Sequence, residues 1–158
     1  MCIVVDINTL APVFNEACDR HPDFAHVKNW IDEGHGFLVF GGTKFKEELG
    51  KAYRYLRLIR LMKESGQAVA IQDDVVDAEE KRVKALTDGT TCDDQHIIGL
   101  LSASRCPLVC SEDERAYPYL RDRTLYPDGM TRVRIYSSRR NRSLLNRPMA
   151  RTRLKNQA

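Results

Sequence analysis

The sequence lacks the features that define several classes of protein. No stretch approaches the roughly 18 apolar residues that a membrane helix needs, and the N-terminus has no basic start before an apolar segment. The five cysteines are odd in number and form no CxxC pair. This count disfavours a zinc ribbon and indicates reduced, mostly buried thiols. We therefore expect a cytoplasmic protein with no membrane partner.

Acidic residues are absent from Thr131 to the C-terminus, where eight arginines and one lysine lie. Subtracting these nine from the 25 basic residues leaves 16 against 22 acidic residues in the first 130, a net charge of about −6. The planar fork of arginine suits phosphate, which favours contact with a polyanion such as RNA over the alternative of a solubilising tail. The arginines that we expect to bind nucleic acid are Arg132, Arg134, Arg139, Arg140 and Arg142.

Strand-like and helix-like segments alternate along the 158 residues, a length typical of one domain. The pattern predicts five strands, the fifth at a sheet edge, over residues 2–5, 37–40, 68–71, 108–110 and 131–136. Strands separated by helices predict a three-layer α/β/α sandwich around a mostly parallel sheet of about five strands. We assign residues 1–136 to this domain and residues 137–158 to a flexible, arginine-rich tail.

Helical spacing of apolar residues predicts the connecting helices. The longest is expected from Thr43, as its N-cap, to about Ser65, and its basic face is interpreted as solvated surface. Other helices are predicted over residues 8–18, 23–32, 77–86, 95–104 and 117–122.

Four carboxylates stand near the ends of predicted elements. Asp6 ends the first strand, and Glu48 lies one turn into the helix that follows the second. Asp94 begins the helix before the fourth strand, and Asp113 follows that strand. All four could meet at one edge of the sheet, where their mutual repulsion would favour a hard cation such as Mg²⁺ or Mn²⁺. Helix capping, by Asp6 in particular, and surface solvation are the alternatives.

Three stretches resemble the successive motifs of the PIN domain. They are IVVDINTL, GGTKFKEEL and DDQHIIGLLSASRCPLVCSEDERA, and the resemblance covers about residues 2–122. Its most specific part is residues 94–113, where an acid opens an apolar helix and a buried strand leads to Ser-Glu-Asp. PIN domains include metal-dependent ribonucleases, among them the toxins of VapBC-type toxin–antitoxin pairs.

The resemblance implies a metal-dependent site. One or two Mg²⁺ or Mn²⁺ ions would be held by Asp6, Asp94 and Asp113, and would activate water for attack on single-stranded RNA. Glu48 would complete the coordination or orient the water. His96, two residues into the following helix, could shuttle a proton, but a structural or solvent-facing role is favoured.

The residues next to the implied ligands leave some assignments open. Asn8 and Ser111 match polar positions near the metal site of the family. Glu47 and Asp93 could each replace the acid that follows it, and Glu112 also stands next to an expected ligand.

An endoribonuclease, which could be a toxin held by an antitoxin, is the favoured hypothesis. The alternatives are a nuclease that acts in RNA processing or on DNA, and an inactive PIN-like scaffold that binds RNA or a protein. The presence of all four expected acids disfavours the inactive scaffold. Because related domains often pair, a homodimer is a further expectation.

Overall fold

The computed structural model describes residues 1–146. Its strands are β1 (Cys2–Val5), β2 (Phe37–Gly41), β3 (Ala68–Ile71), β4 (Leu108–Cys110) and β5 (Arg134–Tyr136). Its α-helices are α1 (Leu10–Phe14), α2 (His21–Asp32), α3 (Thr43–Lys51), α4 (Tyr53–Glu64), α5 (Asp73–Leu86), α6 (Gln95–Ser104) and α7 (Tyr117–Leu120). Short 3-10 helices lie at Ile7–Thr9, Glu114–Ala116, Arg123–Leu125 and Arg139–Asn146.

The five strands form one sheet in the order β3-β2-β1-β4-β5, and every pair is parallel. The predicted α/β sandwich with a central parallel sheet and an edge strand at β5 is confirmed. The chain moves outward from β1 through β2 to β3, then crosses back to β4 on the other side of β1. The order of strands therefore reverses between β1 and β4, and open α/β sheets bind ligands outside the carboxyl ends of the strands at such a point.

Helices cover the two faces of the sheet. The right-handed crossover rule places α2 and α4 on one face and α5 and α6 on the other. The helices α5 and α6 pack closely, and the lack of a side chain at Gly99 permits this. A Cβ atom on Gly99 would lie only 2.8 Å from the backbone nitrogen of Glu80. On the opposite face, the rings of Phe24 and Tyr136 meet edge to face at 5.8 Å and join α2 to β5. Within residues 1–146, no helix combines the length and apolarity needed to cross a membrane.

The prediction of one long helix from Thr43 to about Ser65 is wrong in one respect, because this segment forms two helices, α3 and α4. Ala52 between them has a non-helical backbone, with φ −103° and ψ 61°. Gly50, a poor helix former, lies two residues before the break. The spacing of apolar residues continues across Ala52, so the sequence pattern did not reveal the break.

The N-terminus of α3 is capped from another helix and not by the predicted side chain of Thr43. The amide of Thr43 donates to Oδ1 of Asp77 at 2.9 Å, and its hydroxyl donates to Oδ2 at 2.6 Å. The amide of Gly42, whose φ of +91° suits glycine, donates to Asp73 at 3.0 Å. Asp73 and Asp77 of α5, a helix that begins four residues before its predicted start, therefore fix where α3 begins.

The first predicted helix, over residues 8–18, is also shorter than expected. It consists of the 3-10 turn Ile7–Thr9 followed by α1, which ends at Phe14. The side chain of Asn15 accepts a hydrogen bond from the amide of Ala17 at 3.0 Å, and this local turn competes with continuation of the helix.

The first part of the arginine-rich segment belongs to the folded domain. The 3-10 helix Arg139–Asn146 packs against α2, and Leu145 is buried. The side chain of Asn141 accepts the amide of Ser137 at 3.0 Å, which fixes the turn after β5. The segment predicted to be flexible therefore includes packed structure as far as Asn146, while residues 147–158 lie outside the part that the structure describes.

Candidate metal centre

Acidic side chains gather at the point where the strand order reverses. Asp6 directly follows β1, and Asp113 lies three residues after β4, the strand beside it. Asp93, Asp94 and Asp113 each place a carboxylate oxygen within 4.8 Å of the others. Oxygens on opposite sides of one Mg²⁺ are about 4 Å apart, because each lies about 2.1 Å from the ion. The spacing of this trio is therefore compatible with a shared cation.

Asp94 is the most perturbed member of this trio. The pKa of Asp94 is raised to about 7, and burial is the largest cause. A hydrogen bond with Asp93 and the negative charges of Asp6, Asp93 and Asp113 raise it further. Four carboxyl groups thus act on one another at this edge of the sheet. A divalent cation would favour their ionised forms and relieve the repulsion.

Asp6 is buried beside the trio and is held by its neighbours on the chain. Burial raises its pKa, the hydroxyl of Ser111 and the backbone amides of Ile7 and Asn8 oppose that shift, and the charge of Glu48 adds to it. The side chain of Asn8, which matches a polar position near the metal site of the family, belongs to an exposed residue. The alternative that Asp6 caps the next helix through its side chain is not observed.

Ser111 links the ends of β1 and β4. It is 1% exposed, and its hydroxyl donates to Oδ2 of Asp6 at 3.2 Å. The hydroxyl oxygen of Ser111 also accepts a hydrogen bond from the backbone amide of Asp113 at 3.2 Å. The sequence-based prediction of an auxiliary role for Ser111 therefore coincides with a buried contact between two predicted ligands.

The structure separates the alternatives around the other acids. Glu48 is partly buried, and Oε2 lies 3.3 Å from Nε2 of His96, whereas Glu47 is exposed. Glu112 forms an ion pair with Arg20. The charge of Glu48 also raises the pKa of Asp6, which places Glu48 near the acidic cluster.

Asp93 and Asp94 need not exclude one another as ligands. Asp93 is exposed and belongs to the trio, and Asp94 is partly buried. Asp6, the third predicted ligand, lies close enough for its charge to raise the pKa of Asp94. Asp93, which the sequence offered only as a replacement for Asp94, thus lies in one cluster with Asp94 and Asp113.

His96 is buried, at 4% exposed, in accordance with a structural position and not a solvent-facing one. Burial is the main cause that lowers its pKa, opposed by the charges of Glu48 and Glu80. In the described part of the chain, neither ring nitrogen has an aligned hydrogen-bond partner, although Nε2 is close to Glu48.

Arg115 is a nearby cation that the sequence analysis missed. Its Nε donates to Oδ1 of Asp113 at 3.2 Å, while 87% of its side chain is exposed. The signal in the sequence is the Asp-Glu-Arg spacing, in which Asp113 caps the 3-10 helix that carries Arg115.

The arginines predicted to bind nucleic acid do not form one patch. Arg139 donates to Asp23 at 3.0 Å, and Arg140 lines the same groove as this pair. Arg142 lies at a different depression, beside His26. Arg134 projects from the edge strand β5 as an exposed residue.

Arg132 lines a third depression, of about 260 Å³, together with Arg121 and Arg123. Those two arginines precede the acid-free segment and have Asp122 between them, so the charge pattern of the sequence does not single them out. The three guanidinium groups therefore make this depression a further candidate anion-binding surface.

No family model, no curated protein and no solved structure matches the chain. The similarity to PIN-domain motifs therefore rests on the quoted stretches of sequence and stays a prediction. The convergence of Asp93, Asp94 and Asp113 beside Asp6 rests on the fold itself.

Proposed function

We propose that the chain is a divalent-metal-dependent nuclease that hydrolyses phosphodiester bonds of single-stranded RNA. The observation that carries this proposal is the trio Asp93, Asp94 and Asp113, whose oxygens lie within 4.8 Å of one another. The trio adjoins buried Asp6 at the carboxyl ends of β1 and β4, where sheets of this kind bind ligands.

The residues at this edge fit a hard divalent cation. The trio and Asp6 offer carboxylate oxygens, which suit Mg²⁺ or Mn²⁺ better than the sulfur and imidazole ligands that zinc often takes. The raised pKa values of Asp6 and Asp94 indicate that the ionised forms are disfavoured by burial and crowding. Asp94 and Asp113 would hold the ion with Asp93 or Asp6. When bound, such an ion acts as a Lewis acid and lowers the pKa of a coordinated water.

The chain itself would supply orientation and charge. Ser111 holds Asp6 and the loop of Asp113 in one arrangement, so the ligands need little reorganisation. Glu48 stands at the rim with 35% of its side chain exposed, where it could complete the coordination of the ion or orient a water. Arg115, exposed beside Asp113, could donate to a phosphate oxygen next to the centre.

A phosphate-bearing substrate is supported by the arginines around the domain. Arg132, Arg134 and Arg140 are exposed, and none forms an ion pair within the described residues. Exposed guanidinium groups bind phosphate by displacing its counterions. The choice of RNA over DNA comes from the resemblance to PIN domains.

Cleavage of matched single-stranded RNA and DNA by the full chain tests this function. We expect RNA cutting in Mg²⁺ or Mn²⁺, none in EDTA, and a loss of about 100-fold or more in Asp6→Asn and Asp94→Asn. Glu47→Gln, at an exposed position beside Glu48, is the control that should keep activity. An RNA product that persists in EDTA, or full activity in Asp94→Asn, would refute the proposal, and cutting of DNA alone would refute its choice of substrate.

A toxin role and its antitoxin partner are proposed on the resemblance alone. Induced expression of the chain in a bacterial host should arrest growth, and Asp94→Asn should not. Growth arrest by both proteins, or by neither, would contradict a toxin that acts through this site.

A homodimer is proposed on the same ground. Sedimentation of the purified chain at low micromolar concentration should give twice the 18.1 kDa mass of one chain. A single species with the monomer mass would contradict it.

A further inference from the structure

His96 lies next to the proposed centre with a role not yet assigned to it. It is on the first turn of α6, two residues after Asp94, and is 4% exposed. Neither Nδ1 nor Nε2 has a hydrogen-bond partner within residues 1–146. A buried polar group without a partner costs about 1–3 kcal/mol. An apolar residue would fill this position in the core at lower cost.

Glu48 is the side chain that His96 approaches. Nε2 of His96 and Oε2 of Glu48 are 3.3 Å apart, on helices α6 and α3. A carboxylate oxygen can only accept a hydrogen bond, so a contact between these atoms requires the hydrogen on Nε2. The atoms are close enough for that bond, and a small rotation of either side chain would align it. Such contacts are often poorly aligned in ligand-free sites and tighten when the site is complete.

The position of Glu48 explains why an anchor would matter. Its side chain is 35% exposed, and its charge raises the pKa of Asp6. A long, half-exposed glutamate has several rotamers, most of which would point its carboxylate into solvent. A hydrogen bond to one oxygen would select the rotamer in which the other oxygen faces the acidic group.

We propose that His96 is a positioning residue that donates from Nε2 to Glu48 and holds that carboxylate toward the divalent-cation centre. This inference rests on the proposed function for the centre, but the contact itself does not. His96 acts through Glu48 and touches neither substrate nor the ion. Partners of this kind change metal affinity by about 10–100-fold when they are removed.

The contact is tested without metal or substrate by NMR of imidazole nitrogens in the full chain, in EDTA. The long-range ¹H–¹⁵N spectrum of wild type, assigned by comparison with His96→Gln, should show that Nε2 of His96 carries hydrogen. The Nε2 resonance should shift in Glu48→Gln and stay in place in the exposed-site control Glu47→Gln. A ring that carries hydrogen on Nδ1 alone, or one that does not respond to Glu48→Gln, would overturn the proposal.

Its consequence for the centre is tested by calorimetric titration with Mn²⁺. We expect His96→Leu to weaken Mn²⁺ binding about tenfold, and His96→Gln, whose amide can replace Nε2, to restore it to within about threefold of wild type. His35→Leu, on an exposed histidine, is the control. Equal weakening by Gln and Leu, or no effect of Leu, would overturn the role.

A double-mutant cycle separates positioning from a general effect on packing. If His96 acts through Glu48, Glu48→Gln with His96→Leu should bind Mn²⁺ no more weakly than Glu48→Gln alone. Fully additive losses would contradict the proposal.

If wild type binds no Mn²⁺, the proposed function of the centre fails, while the NMR result still decides whether the contact exists. Should His96→Leu fail to fold, the spectrum of wild type and the binding by His96→Gln decide the matter.

Discussion

The hydroxyl of Ser111 donates to Oδ2 of Asp6 at 3.2 Å, and this bond joins two residues 105 positions apart in the sequence. It ties the end of β1 to the end of β4 at the place where the strand order reverses. Because the same Ser111 oxygen accepts the amide of Asp113 at 3.2 Å, one buried hydroxyl sets the relative positions of two acidic side chains.

Replacement of Ser111 by alanine should therefore affect both the fold and the centre. The buried oxygen of Asp6 and the amide of Asp113 would lose a partner, which should lower the free energy of unfolding by about 1–3 kcal/mol. Urea denaturation in EDTA measures this loss, and Mn²⁺ titration should show weaker binding. Ser143→Ala, at an exposed serine, is the control. Stability and Mn²⁺ affinity equal to those of wild type would contradict the role of Ser111.

The raised pKa of Asp94 predicts how stability depends on pH in EDTA. Its pKa rises from 3.8 to about 7 in the folded protein, so the folded state holds this proton more tightly than the unfolded chain does. The contribution of Asp94 to stability should therefore fall as the pH rises from about 4 to about 7 and stay constant above that.

Asp94→Asn removes this penalty, because asparagine does not ionise. The variant should match wild type near pH 4 and exceed it by about 1–2 kcal/mol at pH 8, after allowance for solvent screening of a partly exposed group. Asp19→Asn, at an exposed aspartate, should show no such trend. Urea denaturation at several pH values measures the difference. A constant difference between variant and wild type across this range would contradict the assignment.

The hydrogen bonds from Thr43 to Asp77 stabilise the start of α3, the helix that carries Glu48. Asp77→Ala leaves the amide and hydroxyl of Thr43 without their acceptor, which should cost about 1 kcal/mol of stability. Asp74→Ala is the matched control, because Asp74 is an exposed aspartate of α5 three residues before Asp77. Thermal unfolding of both variants measures the difference. Equal losses would show that the charge near the start of α5, and not the cap on α3, is responsible.

The strands could be predicted from the sequence because their apolar runs are short and clearly bounded. The runs that begin at Cys2, Ala68 and Leu108 match the observed strands to the residue. The break at Ala52 was not predicted, since the residues around it keep helical spacing. The cap from Asp77 was not predicted either, because it comes from a helix 34 residues further along the chain.

The candidate site was predictable in part for a physical reason. Asp6 and Asp113 follow neighbouring parallel strands, and such ends meet at one edge of a sheet. The sequence could not decide between Asp93 and Asp94, because a loop before a helix can turn either side chain inward. The proximity of His96 to Glu48 depends on how α3 crosses α6, which no local pattern encodes.

The exposed arginines predict how RNA binding depends on salt. Replacing Arg132, Arg134 and Arg140 together by alanine should weaken binding of single-stranded RNA. The slope of log K against log salt concentration should become shallower by up to about 2, since each lost phosphate contact contributes about 0.7. Arg139→Ala should have less effect, since that side chain is paired with Asp23. Fluorescence anisotropy in EDTA over a series of salt concentrations measures both quantities without cleavage. Unchanged affinity and salt slope in the triple variant would contradict the assignment of these arginines.

The most direct test of the carboxylate centre is the position of Mn²⁺ in crystals of the full chain, located by anomalous scattering. We predict a peak about 2 Å from carboxylate oxygens of Asp94 and Asp113, with a further oxygen from Asp93 or Asp6. The same crystals grown from Asp94→Asn should lack that peak or show it strongly reduced. A Mn²⁺ peak elsewhere on the domain, with none at the carboxyl ends of β1 and β4, would contradict the central claim.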